Sequence, residues 1–162
     1  CRGLSRTRVD SAFLAEAVAA VMREVGAPPE IEVGGVEQPE ADASPNASIE
    51  VEVYRVDLLL VLKNLLRNAV AAVRRGPTPR VALDGWVEVL PTGEELVHLR
   101  VRDSAPGCPD FESSAGETGR GLLLVRAALN LYRGGIVMAP ATEDGFQKSI
   151  TVWFFRSQQE AP

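Results

Sequence analysis

Two asparagines, Asn64 and Asn68, stand four residues apart in a stretch whose leucines recur at helical spacing. On a helix they lie about 40° apart around the axis, one turn above the other. Asparagine is a mediocre helix former, so two of them in mid-helix ask for a reason. Carboxamide oxygens are hard, neutral ligands that suit a magnesium ion and the phosphates it accompanies; a solvated helix flank is the alternative. The segment Val101-Arg102-Asp103-Ser104-Ala105-Pro106-Gly107 ends an apolar alternation in an aspartate, followed at once by a turn with proline and glycine. Such an aspartate either closes an Asx-turn or accepts from an exocyclic amine at a pocket edge. In the second role it rejects a ring that presents a carbonyl, which selects adenine over guanine. Gly107 would let the backbone pass close to that ring. A third segment, Gly116-Glu117-Thr118-Gly119-Arg120-Gly121-Leu122, runs into an apolar helical stretch. Glycines feeding a helix N-terminus make a phosphate cradle, because free N–H groups point at the anion. The longer glycine-rich loop that ends in Gly-Lys and a hydroxyl residue is absent.

These groups need elements to position them. Asp10 and Ser11 offer an N-cap to a helix whose apolar side is Phe13, Leu14, Val18, Val21 and Met22. Gly26, Pro28 and Pro29 stop it. Residues 30–33 read as a short strand, residues 35–48 as an acidic loop, and Ile49, Val51 and Val53 as one side of a half-buried strand. The longest helical pattern covers residues 57–75, with Leu58, Leu62, Leu65, Leu66, Ala69 and Val73 facing the core and both asparagines off that stripe. Strands over 80–90 and 95–102 are joined by Pro91-Thr92-Gly93-Glu94, a hairpin signature. Residues 103–120 read as loop, 121–132 as a helix closed by Gly134-Gly135, and 136–138 and 149–155 as strands about a turn at Gly145. This order predicts an α+β, two-layer sandwich: a mixed, mostly antiparallel sheet with helices on one face. Residues 10–155 are expected to form the domain, with 1–9 the tail of a preceding segment and 156–162 a flexible end.

The 162 residues suffice for one core, and 46% hydrophobic with 24% charged composition excludes global disorder. A net charge of -5 argues against nucleic-acid binding. One histidine and two cysteines are too few for a structural zinc site or a disulfide framework, which points to a reduced, cytoplasmic setting. No apolar run approaches the roughly 18 residues of a membrane span. A chain beginning at Cys1 is expected to be a fragment of something longer.

The order of the segments is more specific than any one of them. An asparagine-bearing helix, a hairpin, Asp-turn-Gly at a strand end, a loop, Gly-x-Gly-Leu into a helix, Gly-Gly and two strands resembles the ATP-binding catalytic domain of sensor histidine kinases. That domain is part of the wider group shared with type II topoisomerases, the Hsp90 chaperones and MutL (the Bergerat-like fold). Val61-Leu62-Lys63-Asn64-Leu65-Leu66-Arg67-Asn68-Ala69 is similar to its N box, and Asp103 to Gly107 and Gly119 to Val125 are similar to its two glycine boxes. The resemblance implies Mg-ATP as ligand. Asn68 would coordinate magnesium and Asn64 would lie on the triphosphate. Asp103 would accept from the adenine amine, with a water also held by Ser149 or Thr151. Gly107 would line the base, and Gly119, Gly121 and the adjoining Leu122 would close on the phosphates. ATP-hydrolysing relatives carry a glutamate at the position of Asn64. An amide takes no proton at neutral pH, so phosphoryl transfer is expected rather than hydrolysis.

The chain departs from the family pattern in places. Ala105 replaces a glycine, which matters if that backbone needs a positive φ. Arg120 stands between the second-box glycines, residues 108–118 are short with Phe111 their one aromatic, and Ala71 and Ala72 stand where a lysine is common, with Arg74 and Arg75 nearby. His98 alternates with Val97 and Leu99 on a strand, unlike a helical acceptor histidine. The phosphoacceptor is therefore expected on a separate helical dimerisation domain, with a response regulator downstream. A rival reading is a degenerate docking module with weak nucleotide binding. An anti-sigma serine kinase shares the Gly-Arg-Gly-Leu box but fits the N-terminal helix and Gly134-Gly135-Ile136 less well.

Overall fold

The structure is a computed structural model that describes residues 6–26, 29–39, 48–74, 76–106, 119–141 and 143–158, with only the backbone for 119–120. Asp10 begins the first helix, α1 (Ser11–Glu24), by accepting the Phe13 N–H at 2.8 Å. Phe13, Leu14, Ala17, Val18 and Val21 face the core. Met22, expected among them, is 40% exposed, and Ala17 takes the position the i, i+3, i+4, i+7 pattern requires. The long helix, α2 (Arg55–Val73), starts two residues before its expected bound, and Asp57 in its first turn complements the helix dipole. All six residues of its expected core stripe are buried, together with Val61 and Val70. Glu24 of α1 ties the two helices by pairing with Lys63 at 2.9 Å and with Arg67.

Strands β2 (Ile31–Glu37), β4 (Val81–Val89), β5 (Glu95–Asp103), β6 (Gly135–Pro140) and β7 (Lys148–Phe155) form one sheet in the order β2-β4-β5-β7-β6. The β2–β4 pair is parallel and the rest are antiparallel. Helices α1, α2 and α3 (Gly119–Leu131) cover one face, where Leu83, Val97, Leu99, Val101, Ile150, Val152 and Phe154 enter the core. The architecture is thus the expected α+β sandwich. On the opposite face Trp86, His98 and Trp153 follow one another across β4, β5 and β7, with the Trp86 and His98 rings stacked at 4.9 Å. Arg100 there grips both oxygens of Asp84 at 3.0 and 2.6 Å.

Several elements differ from their sequence reading. Strand β2 runs on to Glu37 through a register shift between Val33 and Val36. Ile49 to Tyr54 yields only a two-residue strand, β3 (Glu50–Val51). It pairs with β1 (Thr7–Arg8), in a segment expected to be a tail. Arg156 and Ser157, also expected to be loose, are held as well: their N–H groups donate to Glu95 and Glu50 carbonyls at 2.9 and 2.6 Å. The Gly134-Gly135 pair serves close approach more than helix termination. Arg133, with φ 58°, makes the left-handed turn, whereas a Cβ on Gly135 would lie 1.9 Å from the Trp153 indole.

Candidate functional site

Helix α2 presents Asn64 and Asn68, both half-buried, at the edge of its core stripe. The Asn64 Nδ2 donates to the Leu60 carbonyl at 2.8 Å, which fixes the carboxamide. Its Oδ1 turns toward α3: a Cβ on Gly121 would stand 3.1 Å from that oxygen. The fold therefore brings Asn64 and Gly121 together, and glycine is the residue that lets α3 approach so closely. The Asn68 carboxamide makes no hydrogen bond to any described residue. Gly119 opens α3, whose first N–H groups lack intrahelical partners. Leu122 is buried beside Val125 and Leu129, so its side chain belongs to the core and only its backbone can serve a ligand. Its burial anchors the helix start against α2.

Asp103 ends β5. Alternation along that strand sets it on the helix-covered side with Val97, Leu99 and Val101, and it is 4% exposed. The Asx-turn is made: Oδ1 accepts the Ala105 N–H at 2.9 Å. The turn is pinned further by Ser104, whose Oγ donates to the Thr78 carbonyl at 2.8 Å and accepts the Arg80 N–H at 2.9 Å. Burial pushes the Asp103 carboxyl up to about 6, although Lys148 and the Ala105 N–H pull the other way. A carboxyl in such surroundings gains by meeting a donor. Ala105 is buried and its φ is not positive, the non-glycine residues of that kind among those described being Arg133 and Asp144. The methyl therefore costs no backbone strain.

Ser149 and Thr151 are not brought to Asp103. Register pairs Ser149 with Arg102 and Thr151 with Arg100, on the face away from the helices. The side chain that β7 sends to Asp103 is Lys148, directly opposite in register, with Nζ 3.8 Å from Oδ1. Sequence reasoning missed Lys148, yet the parity of Ile150, Val152 and Phe154 already assigns it to the covered face. Gly107 lies outside the described residues, as do Arg75, Cys108, Phe111 and the loop 108–118. His98 sits on the open face against Trp86, with Nε2 3.3 Å from Glu88. Among the described residues no group of three or more His, Cys, Asp or Glu could hold a metal, and no helix is long and apolar enough to cross a membrane.

The family described as histidine kinase-, DNA gyrase B- and HSP90-like ATPase matches residues 54–158. Curated protein sequences give no match. Among solved structures, a mycobacterial sensor histidine kinase, MprB, aligns with a TM-score of 0.64 at 18% identity, over 94% of this chain and 100% of that one. The catalytic domain of histidine kinase ThkA aligns with a TM-score of 0.65 at 17% identity, over 95% and 99%. The blue-light activated histidine kinase of Erythrobacter litoralis aligns at 0.57 and 18%, over 89% of this chain and 41% of that one. At these identities the likeness is one of fold, and the match over residues 54–158 carries membership. By that match, this chain belongs to the histidine kinase-, DNA gyrase B- and HSP90-like ATPase family.

Proposed function

We propose that the chain is the Mg-ATP-binding catalytic domain of a sensor histidine kinase, which donates the γ-phosphoryl group to a histidine on a separate helical dimerisation domain. The observation that carries this reading is the approach of Gly121 to the Asn64 carboxamide, so close that a Cβ on the glycine would stand 3.1 Å from Oδ1, which joins the N box to the glycine-bearing helix start. Asp103 accepts the adenine amine. Asn64 and the N-terminal N–H groups of α3 orient the triphosphate. Asn68 would hold a magnesium ion through its carboxamide oxygen, a hard donor of the kind that ion takes alongside phosphate oxygens and water. Bound there, magnesium would neutralise charge on the phosphates. Transfer breaks the bond between the γ-phosphorus and its bridging oxygen, forms a phosphorus–nitrogen bond to the acceptor imidazole and releases ADP.

Two features favour transfer over hydrolysis. Asn64 cannot take a proton from water. His98 lies on the sheet face away from Asp103, held against Trp86 and Glu88, so the acceptor comes from elsewhere. A response regulator would then receive the phosphoryl group in the cytoplasm. The rival docking-module reading draws on Ala105 and on the short loop 108–118; Ala105 has an ordinary backbone that its methyl does not strain, and the loop lies outside the described residues.

The test is incubation with γ-labelled ATP. Alone, the chain is expected to take up no label and release no appreciable phosphate. With a helical domain bearing an acceptor histidine, label should appear on that histidine. Mg-ATP binding without any transfer would shift the reading to a docking module, and stable label on His98 would contradict the division of labour.

A further inference from the structure

The base end of the site holds a cation as well as an acid. Asp103 and Lys148 stand opposite one another where β5 meets β7, on the helix-covered side, with side chains 5% and 19% exposed. Oδ1 of Asp103 takes the Ala105 N–H, while Oδ2 has no hydrogen-bond partner among the described residues. The Lys148 ammonium lies 3.8 Å from Oδ1, an ion pair too long for a hydrogen bond, so the contact uses none of its three N–H donors. Among the described residues Asp103 is its one ionic partner. A largely buried ammonium held in this way gains by meeting an acceptor.

The two groups form an ordered pair, an acceptor beside a donor. The buried end of the site meets the purine edge farthest from the ribose, where the 6-substituent and N1 are neighbours. Adenine carries a donor at C6 and an acceptor at N1, and matches the carboxylate and the ammonium in turn. Guanine in the same seat sets O6 against the carboxylate and N1–H against the ammonium, a mismatch at both positions. Asp103 alone reads only the 6-substituent. The reading of N1 needs a donor, and Ser149 and Thr151 do not supply it, because register pairs them with Arg102 and Arg100 on the other face. Lys148 is the side chain of β7 that does.

Resting on the nucleotide-site reading above, we propose that Lys148 is a specificity-determining residue that donates to N1 of adenine while Asp103 accepts from the 6-amino group. The site then reads two adjacent positions of the base and selects adenine over guanine at each.

The test compares Mg-ATP with Mg-1-deaza-ATP, in which C–H replaces N1 and the 6-amino group stays. Binding to the full chain is read by competition with an ATP analogue that carries its fluorophore on the ribose. Removing Lys148 would raise the Asp103 carboxyl further, so titrations are run at about pH 8, where it is ionised in each protein. Wild type is expected to hold 1-deaza-ATP about tenfold to 100-fold more weakly than ATP. Lys148→Met should close that gap by weakening ATP more than the analogue. A lysine that only kept Asp103 ionised, or only held the sheet, would weaken both nucleotides alike. An unchanged ratio in folded Lys148→Met therefore overturns the proposal. Wild-type protein that binds the two nucleotides equally overturns it as well and leaves the ATP site standing. That comparison needs no variant, so it decides the matter if Lys148→Met does not fold. Absence of ATP binding to folded wild-type chain overturns this proposal together with the nucleotide site.

Discussion

Asp103 does two jobs with one carboxylate. Oδ1 closes the turn onto the Ala105 N–H, and the group as a whole is the buried acceptor proposed for adenine. Its folded value of about 6 lies above the ordinary aspartate value of 3.8, so the native state binds the proton more tightly than the unfolded chain. Stability is then full below about pH 4 and falls as pH rises through about 6. Asp103→Asn removes that loss while its own Oδ1 keeps the Ala105 N–H, leaving Nδ2 to face the adenine amine, donor against donor. The mutant should be more stable than wild type by ~1–2 kcal/mol at neutral pH, with a flatter stability profile between pH 4 and 6. It should also bind adenine nucleotides more weakly by about 1–3 kcal/mol. Urea unfolding across pH and calorimetric titration check the two halves, and unchanged affinity in a folded mutant would contradict the adenine assignment.

At the scale of elements, the site depends on how closely α3 meets α2. A methyl at position 121 meets Asn64 Oδ1 at 3.1 Å, which forces the carboxamide to shift by a few tenths of an ångström. Alanine gains up to about 1 kcal/mol of helix propensity over glycine, so Gly121→Ala should unfold within about 1 kcal/mol of wild type. Its ATP affinity should nevertheless fall several-fold, because the displaced Asn64 no longer meets the triphosphate. Unchanged affinity would mean that this contact is only packing. Much of this was legible beforehand. The asparagines stood off the leucine stripe, and alternation through Val97, Leu99 and Val101 already set Asp103 on the covered side. Ser149 and Thr151 misled because the family resemblance supplied their role, whereas the face of a strand is fixed by its pairing register. The strand at Thr7–Arg8 was illegible for a related reason: two residues carry no periodicity, and only the partner Glu50–Val51 defines them.

At the scale of the molecule, the sheet separates two environments. The helix side carries the aliphatic core and, at its edge, Asn64, Gly121, Asp103 and Lys148. The far side carries an aromatic and ionic ladder, with Trp86 stacked on His98 and Arg100 locked to Asp84, which accounts for the histidine and both tryptophans without any catalytic role. The proposed function depends most on Mg-ATP binding at the helix side through Asn68. The direct measurement is titration of the chain with a fluorescent ATP analogue, with magnesium and with excess chelator, on wild type and Asn68→Ala. Asn68 lies off the core stripe and alanine is the better helix former, so the mutant should fold with equal or slightly higher stability. Binding to wild type should be saturable and tighten with magnesium, and the magnesium effect should be lost in Asn68→Ala. An Asn68→Ala chain that unfolds, or one that keeps the full magnesium effect, would contradict that reading.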